Sequence, residues 1–201
     1  MPENTLQSLQ FAQALGVDAL EFDLHLAKDG VPVVHHDATL DRTTDASGPV
    51  RAVSSAELGR ISASHRFSLD GGRSFPFRER RFAVPTLWEA LHACPDIPLI
   101  LEMKSVEVAE PALAVLRETG NLHRVLVGSF LDAALIPFRQ AGVPCSPGSD
   151  TLAAKYAGAL LGARPASLPF QALCIPRFHN FIPLPVSGFA AMMRAAGGPT
   201  H

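Results

Sequence analysis

From Thr86 onward, short apolar runs alternate with helix-length segments, and that alternation limits the possible folds more than any other feature of the chain. Ile97 to Met103, Val125 to Phe130, Val143 to Ser146 and Ala172 to Pro176 read as strands. Val108 to Thr119, Asp132 to Ala141, Thr151 to Leu161 and Ser187 to Ala195 read as helices between or after them. A helix between successive strands carries the chain back to the starting end of the sheet, so such strands run parallel. That leaves a (β/α) barrel or a doubly wound sheet. There is no glycine-rich dinucleotide fingerprint, and acidic and histidine residues fall late in three different strands, where barrel active sites gather. The expectation is a barrel.

The first part of the chain departs from the pattern. Asn4 or Thr5 can cap a helix whose apolar stripe is Leu6, Leu9, Phe11, Ala12 and Leu15, with Gly16 as its stop. Leu20-Glu21-Phe22-Asp23-Leu24 and Val33-Val34-His35-His36-Asp37 then read as neighbouring strands joined through the tight corner Asp29-Gly30. Residues 38–85 are turn-rich, with a short helix around Ser54 to Ile61, and are too long for an ordinary connection in a compact fold. They are expected to lie over one end of the core as an insertion in a single domain spanning residues 1–201. Thr86 caps the next helix, through His92.

A length of 201 residues and 47% hydrophobic content suit one globular α/β domain with a substantial core. A net charge of -2, with Arg78, Arg80 and Arg81 as the one dense basic group, argues against a nucleic-acid footprint. No apolar run reaches the roughly 18 to 20 residues of a membrane span, and no signal-like segment opens the chain, so no stable membrane insertion and a cytoplasmic location are expected. Cys94, Cys145 and Cys174 are too widely spaced for a disulfide framework or a zinc knuckle and read as small buried residues.

The chemistry concentrates in the strands. Side chains alternate along a strand, so Glu21 and Asp23 share one face of an otherwise apolar segment. Like charges in such a setting raise a pKa or cost several kcal/mol unless a cation neutralises them. Glu102 ends a later strand in the same manner, and three carboxylates converging at one rim would make an oxygen-only site for magnesium or calcium rather than zinc. For an isolated acid, pairing with Lys104 or an arginine is the simpler account; an alternating pair with a third acid reverses that balance. His36 follows an apolar strand and is placed for general acid or base work, whereas His35 points to the opposite face. His35, His65, His92, His123 and His179 read as hydrogen-bonded structural residues, and His25 as either a rim residue or a substrate or metal contact. Lys104, on the face of Glu102, could meet an anionic substrate such as a phosphate, or form a salt bridge.

Taken in order, Pro2-Glu3-Asn4-Thr5, Glu21-Phe22-Asp23-Leu24, Lys28-Asp29-Gly30-Val31-Pro32-Val33-Val34, His36-Asp37, Leu40-Asp41-Arg42-Thr43-Thr44, Pro85-Thr86-Leu87 and Leu101-Glu102-Met103-Lys104 resemble the glycerophosphodiester phosphodiesterase family. The resemblance covers Pro2 to Lys104 and is weak beyond Ser129-Phe130. It implies a TIM (β/α)8-type barrel that hydrolyses glycerophosphodiesters, such as glycerophosphocholine, to glycerol 3-phosphate and an alcohol, using a divalent cation (Mg2+ or Ca2+) and two histidines. By motif, Glu21, Asp23 and Glu102 match the metal ligands, His36 one acid/base histidine, Lys104 a phosphate-contacting lysine and Glu3 a supporting acid. Members carry a His-Arg-Gly run before the Pro-Glu-Asn-Thr motif and a last strand of Trp-Thr-Val-Asn type, and neither is found here. The expectation is therefore an incomplete barrel lacking its first and eighth strands, with the acid/base pair halved and activity reduced. Rival readings are a sphingomyelinase D-like phospholipase and a non-catalytic protein that retains metal and phosphate binding.

Overall fold

In a computed structural model, residues 1–179 and 181–198 are described. Thr200 and His201, the expected approach to a last strand, lie outside the described residues, as does the side chain of His179.

The chain opens with helix α1 (Leu6–Ala14), started by a reciprocal cap in which Thr5 Oγ1 accepts from the Ser8 amide and Ser8 Oγ from the Thr5 amide. Strand β1 (Leu20–Leu26) follows, then a turn at Ala27 to Gly30 and the short strand β2 (Pro32–Val34). Gly30, at φ +81°, takes the left-handed conformation this corner requires. The Asp29 carboxylate of the same turn accepts from the amide and hydroxyl of Ser55, so the hairpin is tied to helix α2 (Ser55–Leu58). Helix α3 (Leu87–Ala93) has the predicted Thr86 cap, closed by Glu89. Strand β3 (Leu99–Met103), helix α4 (Ala109–Glu118), strand β4 (Val125–Gly128) and helix α5 (Asp132–Gln140) continue the alternation. Helix α6 (Ser149–Leu160), a two-residue ladder of β5 (Phe178–His179) with β6 (Ile182–Pro183), and helix α7 (Val186–Ala195) complete it.

The main sheet has the order β2-β1-β3-β4. β1, β3 and β4 are parallel, as their intervening helices dictate, and β2 returns antiparallel along Leu24 to Leu26. Phe22, Leu24, Leu99, Leu101, Val127, Leu113 and Phe138 are all buried in the principal core. Residues 38–85 gather around a second apolar cluster, in which Leu40, Val50 and Leu58 pack on Val33 and Ala27.

Two expected strands do not form as ladders among the described residues. Val143 to Ser146 contributes one parallel bridge, Val127 with Cys145; Pro144, whose backbone faces β4, has no amide to extend it. Ala172 to Pro176 has no strand pairing: the Gln171 amide reaches the Cys145 carbonyl at 3.0 Å, but the Cys174 amide finds the Ser146 hydroxyl instead of a backbone acceptor. The small β5-β6 ladder has no counterpart in the sequence reading. No helix among the described residues is long and apolar enough to cross a membrane.

Candidate functional site

The register of β1 on β3 builds the site. Asp23 lies opposite Glu102 and Glu21 opposite Ile100, so the two carboxylates on β1 and the one on β3 project from the same face. Oxygens of Glu21, Asp23 and Glu102 all lie within 4.8 Å of one another. Asp23 is buried, Glu102 half-buried and Glu21 exposed. Lys104, just past the end of β3, places Nζ 2.8 Å from Asp23 and 2.9 Å from Glu102. Burial disfavours the charge on Lys104, but these two carboxylates outweigh it and hold its pKa above the ordinary lysine value. Glu21 forms no hydrogen bond or ion pair of its own among the described residues. Although Glu21 reaches solvent, the protein packed around its carboxyl pushes the pKa up, first by partial desolvation and then through the charges of Asp23 and Glu102, against the opposing pull of Lys104 and His36. The cluster of three carboxylates and one ammonium remains electron-rich, and its donors are all oxygen. A hard divalent cation fits that donor set.

Asn4 was not singled out by the sequence reading beyond a possible helix cap. It holds a left-handed backbone at φ +53°, uncommon outside glycine and tolerated best by Asn and Asp. In that conformation its side chain grips Asp23 from both sides: Nδ2 donates to Asp23 Oδ2 at 2.8 Å, and Oδ1 accepts from the Asp23 amide at 3.2 Å. On this side of β1, where β2 pairs only from Leu24 onward, the asparagine takes the amide that a neighbouring strand would.

His36 lies beyond β2 with its imidazole exposed, Nδ1 standing 2.6 Å from Asp37 Oδ1. Hydrogen bonds from Arg42 hold Asp37 far below the usual carboxylate range, so Asp37 accepts and His36 Nδ1 carries the proton. That leaves Nε2 as the ring nitrogen with no hydrogen bond among the described residues. Arg42 also donates to both oxygens of Glu3, joining the N-terminal motif to the His36-Asp37 pair. Glu3 thus bears on His36 through Arg42, a residue the sequence reading passed over. Its signal lay in the Leu40 to Thr44 motif, whose partners are remote in sequence. His35 is buried, its Nε2 3.1 Å from the Thr39 carbonyl, and burial lowers its pKa. His25 directs Nε2 to the His36 carbonyl at 3.1 Å.

Two cavities meet at Glu21. One of about 590 Å3 is bordered by Glu3, Asn4, Asp23, His36 and Arg42. The other, of about 370 Å3, runs from Glu21 and Glu102 past Ser129 and Phe130 toward Cys174.

The glycerophosphoryl diester phosphodiesterase family model matches residues 1–130, a stretch that contains Glu3, Asn4, Glu21, Asp23, His36, Arg42, Glu102 and Lys104. The chain belongs to this family. A glycerophosphodiester phosphodiesterase of Caldanaerobacter subterraneus is 34% identical over 137 residues, covering 65% of this chain and 53% of that protein. Among solved structures, the glycerophosphoryl diester phosphodiesterase domain of an uncharacterized Mycobacterium tuberculosis protein superimposes with a TM-score of 0.73 at 29% identity, covering 80% of this chain and 60% of that one. An Oleispira antarctica phosphodiesterase, solved in complex with the product sn-glycerol-3-phosphate, gives a TM-score of 0.62 at 30% identity, covering 72% of this chain and 59% of that one. The chain thus spans about half the length of the curated relative and about six-tenths of these structures. Its parallel β1-β3-β4 sheet with crossover helices is one arc of the TIM barrel of this glycerophosphodiester phosphodiesterase family.

Proposed function

We propose that this chain carries the metal- and phosphate-binding half of a phosphodiesterase site that hydrolyses glycerophosphodiesters to glycerol 3-phosphate and an alcohol. The observation that carries the reading is the convergence of Glu21, Asp23 and Glu102 within 4.8 Å, beside a histidine with one nitrogen fixed by a carboxylate. Glu21, Asp23 and Glu102 would hold Mg2+ or Ca2+, which when bound offsets charge on the phosphate and its oxygens. Lys104 neutralises carboxylate charge at rest and stands where its ammonium can face a phosphate oxygen. His36 moves a proton at Nε2, with Asp37 stabilising the imidazolium that forms. Arg42, anchored by Glu3, keeps Asp37 ionised and in place. Asn4 orients Asp23 so that its second oxygen remains directed at the cluster. The oxygen-only ligand set supports a hard cation, and the product bound to the Oleispira antarctica protein supports a glycerophosphodiester substrate for this chain as well.

Calorimetric titration of the chain with calcium and magnesium, alongside Glu21→Gln, tests the metal site. Glu21→Gln removes a ligand and a charge together, and the expected result is loss of saturable binding. Equal binding by Glu21→Gln would place the ion elsewhere. Release of choline from glycerophosphocholine that is abolished by chelator and restored by the ion tests the activity.

A further inference from the structure

His25 shares with Glu21 and Asp23 the face of β1 that carries the carboxylate cluster, because side chains two residues apart along a strand point the same way. Its ring is directed elsewhere. Nε2 lies 3.1 Å from the backbone carbonyl oxygen of His36, and a carbonyl can only accept, so this nitrogen carries the proton. A protonated ring nitrogen has no lone pair for a cation. The neutral Nε2-H tautomer and the imidazolium both donate from this position, so the contact stands whatever the charge on His25.

The contact falls where the chain leaves the sheet. The His35 amide donates to the Asp23 carbonyl at 3.0 Å, but β2 ends at Val34 and His36 stands clear, its side chain 53% exposed. The side-chain anchors of His36 run away from β1: Nδ1 to Asp37, Asp37 to Arg42 and Arg42 to Glu3. They fix the ring within its own loop and to the N-terminal segment. The bond from His25 joins the His36 peptide directly to the strand that carries Glu21 and Asp23. A misplacement of about 1 Å at a reacting group costs on the order of 100-fold in rate, so a bond to that peptide bears on turnover. We infer that His25 is a positioning residue, tying the peptide of His36 to β1 and so holding the imidazole at a set distance from the carboxylate cluster. This rests on the functional reading above and adds to it a residue that acts through His36.

Two variants separate the bond from the bulk of the side chain. His25→Gln brings an amide nitrogen close to the position of Nε2 and keeps a donor, whereas His25→Leu fills similar space and has none. Each is compared with the parent by calcium calorimetry and by glycerophosphocholine hydrolysis well below the melting temperature. Relaxation of the His36 ring protons with Mn2+ at the cluster reads the distance from ion to imidazole without any turnover. In His25→Leu, kcat is expected to fall by about 10–100-fold with KM and calcium affinity unchanged, and the ion-to-ring distance to lengthen or spread. His25→Gln is expected to keep the parent's distance and recover most of kcat. Parent-like turnover and distance in His25→Leu overturn the inference. An equal loss of kcat in both variants also overturns it, by assigning the imidazole itself to catalysis, as does a fall in calcium affinity in both, by making His25 a ligand. Should the parent take up Mn2+ but hydrolyse nothing, the functional reading fails while the distances still decide the role of His25. Should it bind no ion, the metal site fails as well, and the His36 carbonyl carbon resonance decides: a shift in His25→Leu alone supports the bond, and no shift in either variant overturns it.

Discussion

Lys104→Met separates the two roles of the cluster, because it removes the ammonium and keeps the aliphatic stem. In the parent, that ammonium sits 2.8 Å from Asp23 and 2.9 Å from Glu102, with the lysine side chain 16% exposed. Taking one partner from a fully buried pair costs about 3–5 kcal/mol, since the other charge is left uncompensated. Here Glu102 retains some solvent, so about 2–4 kcal/mol is expected in chelator, seen as a fall in melting temperature of roughly 4–16 °C for a chain of this size. The loss should be reversible by the ion itself. A cation binding the native state at a hundredfold excess over its dissociation constant adds about 2.7 kcal/mol, enough to restore most of it. Removing a competing positive charge should also tighten cation binding relative to the parent. The assay is a pair of thermal melts, in chelator and in calcium or magnesium, for parent and variant. If Lys104→Met melts with the parent in chelator, or gains no more than the parent from the ion, the carboxylates are not held together against their repulsion by this lysine and the electrostatic account fails.

Arg42→Ala should free Asp37 and Glu3 together and lower turnover by about 10–100-fold through misplacement of His36, with the proton on His36 Nδ1 exchanging between the two ring nitrogens in nitrogen-detected NMR. An unchanged tautomer signature would show that Asp37 holds the imidazole without help. His36→Ala should cost roughly 100- to 10,000-fold in glycerophosphocholine hydrolysis with little change in melting temperature, whereas His35→Ala should lower the melting temperature; the reverse pattern would mean the faces are assigned wrongly. Burial lowers the pKa of both His35 and His25 from the ordinary value of 6.5, so as the pH falls the unfolded chain takes up protons before the native one does. Their contribution to stability is therefore complete above that value and is lost progressively between it and the lowered native pKa. Denaturant titrations across that window should show the slope in the parent and a shallower one in His35→Gln.

Much of the site was legible in the chain itself. Alternation on β1 puts Glu21 and Asp23 on one face whatever surrounds them, since a period of two is a property of the extended backbone. Capping was equally local: Thr5 and Thr86 mark helix starts because their hydroxyls satisfy amides three residues on. The alternation of strand and helix likewise announced parallel β1, β3 and β4. The failures came where pairing depended on a distant segment. Apolar runs at Val143 to Ser146 and Ala172 to Pro176 have the composition of strands, but a proline denies the first a continuous ladder and a serine hydroxyl replaces a backbone acceptor for the second. That Glu102 lies opposite Asp23, and not one residue to either side, is fixed by the β1-β3 register, which no spacing within either strand reveals. The joining of Glu3 to Asp37 through Arg42, 39 residues from Glu3, and the grip of Asn4 on Asp23, 19 residues away, also belong to tertiary structure. Local sequence selects residue types and the faces they occupy, because backbone periodicity and capping act over a few residues. Which of those faces meet is decided only when the sheet closes its hydrogen bonds and buries its apolar side, and the site exists at that meeting.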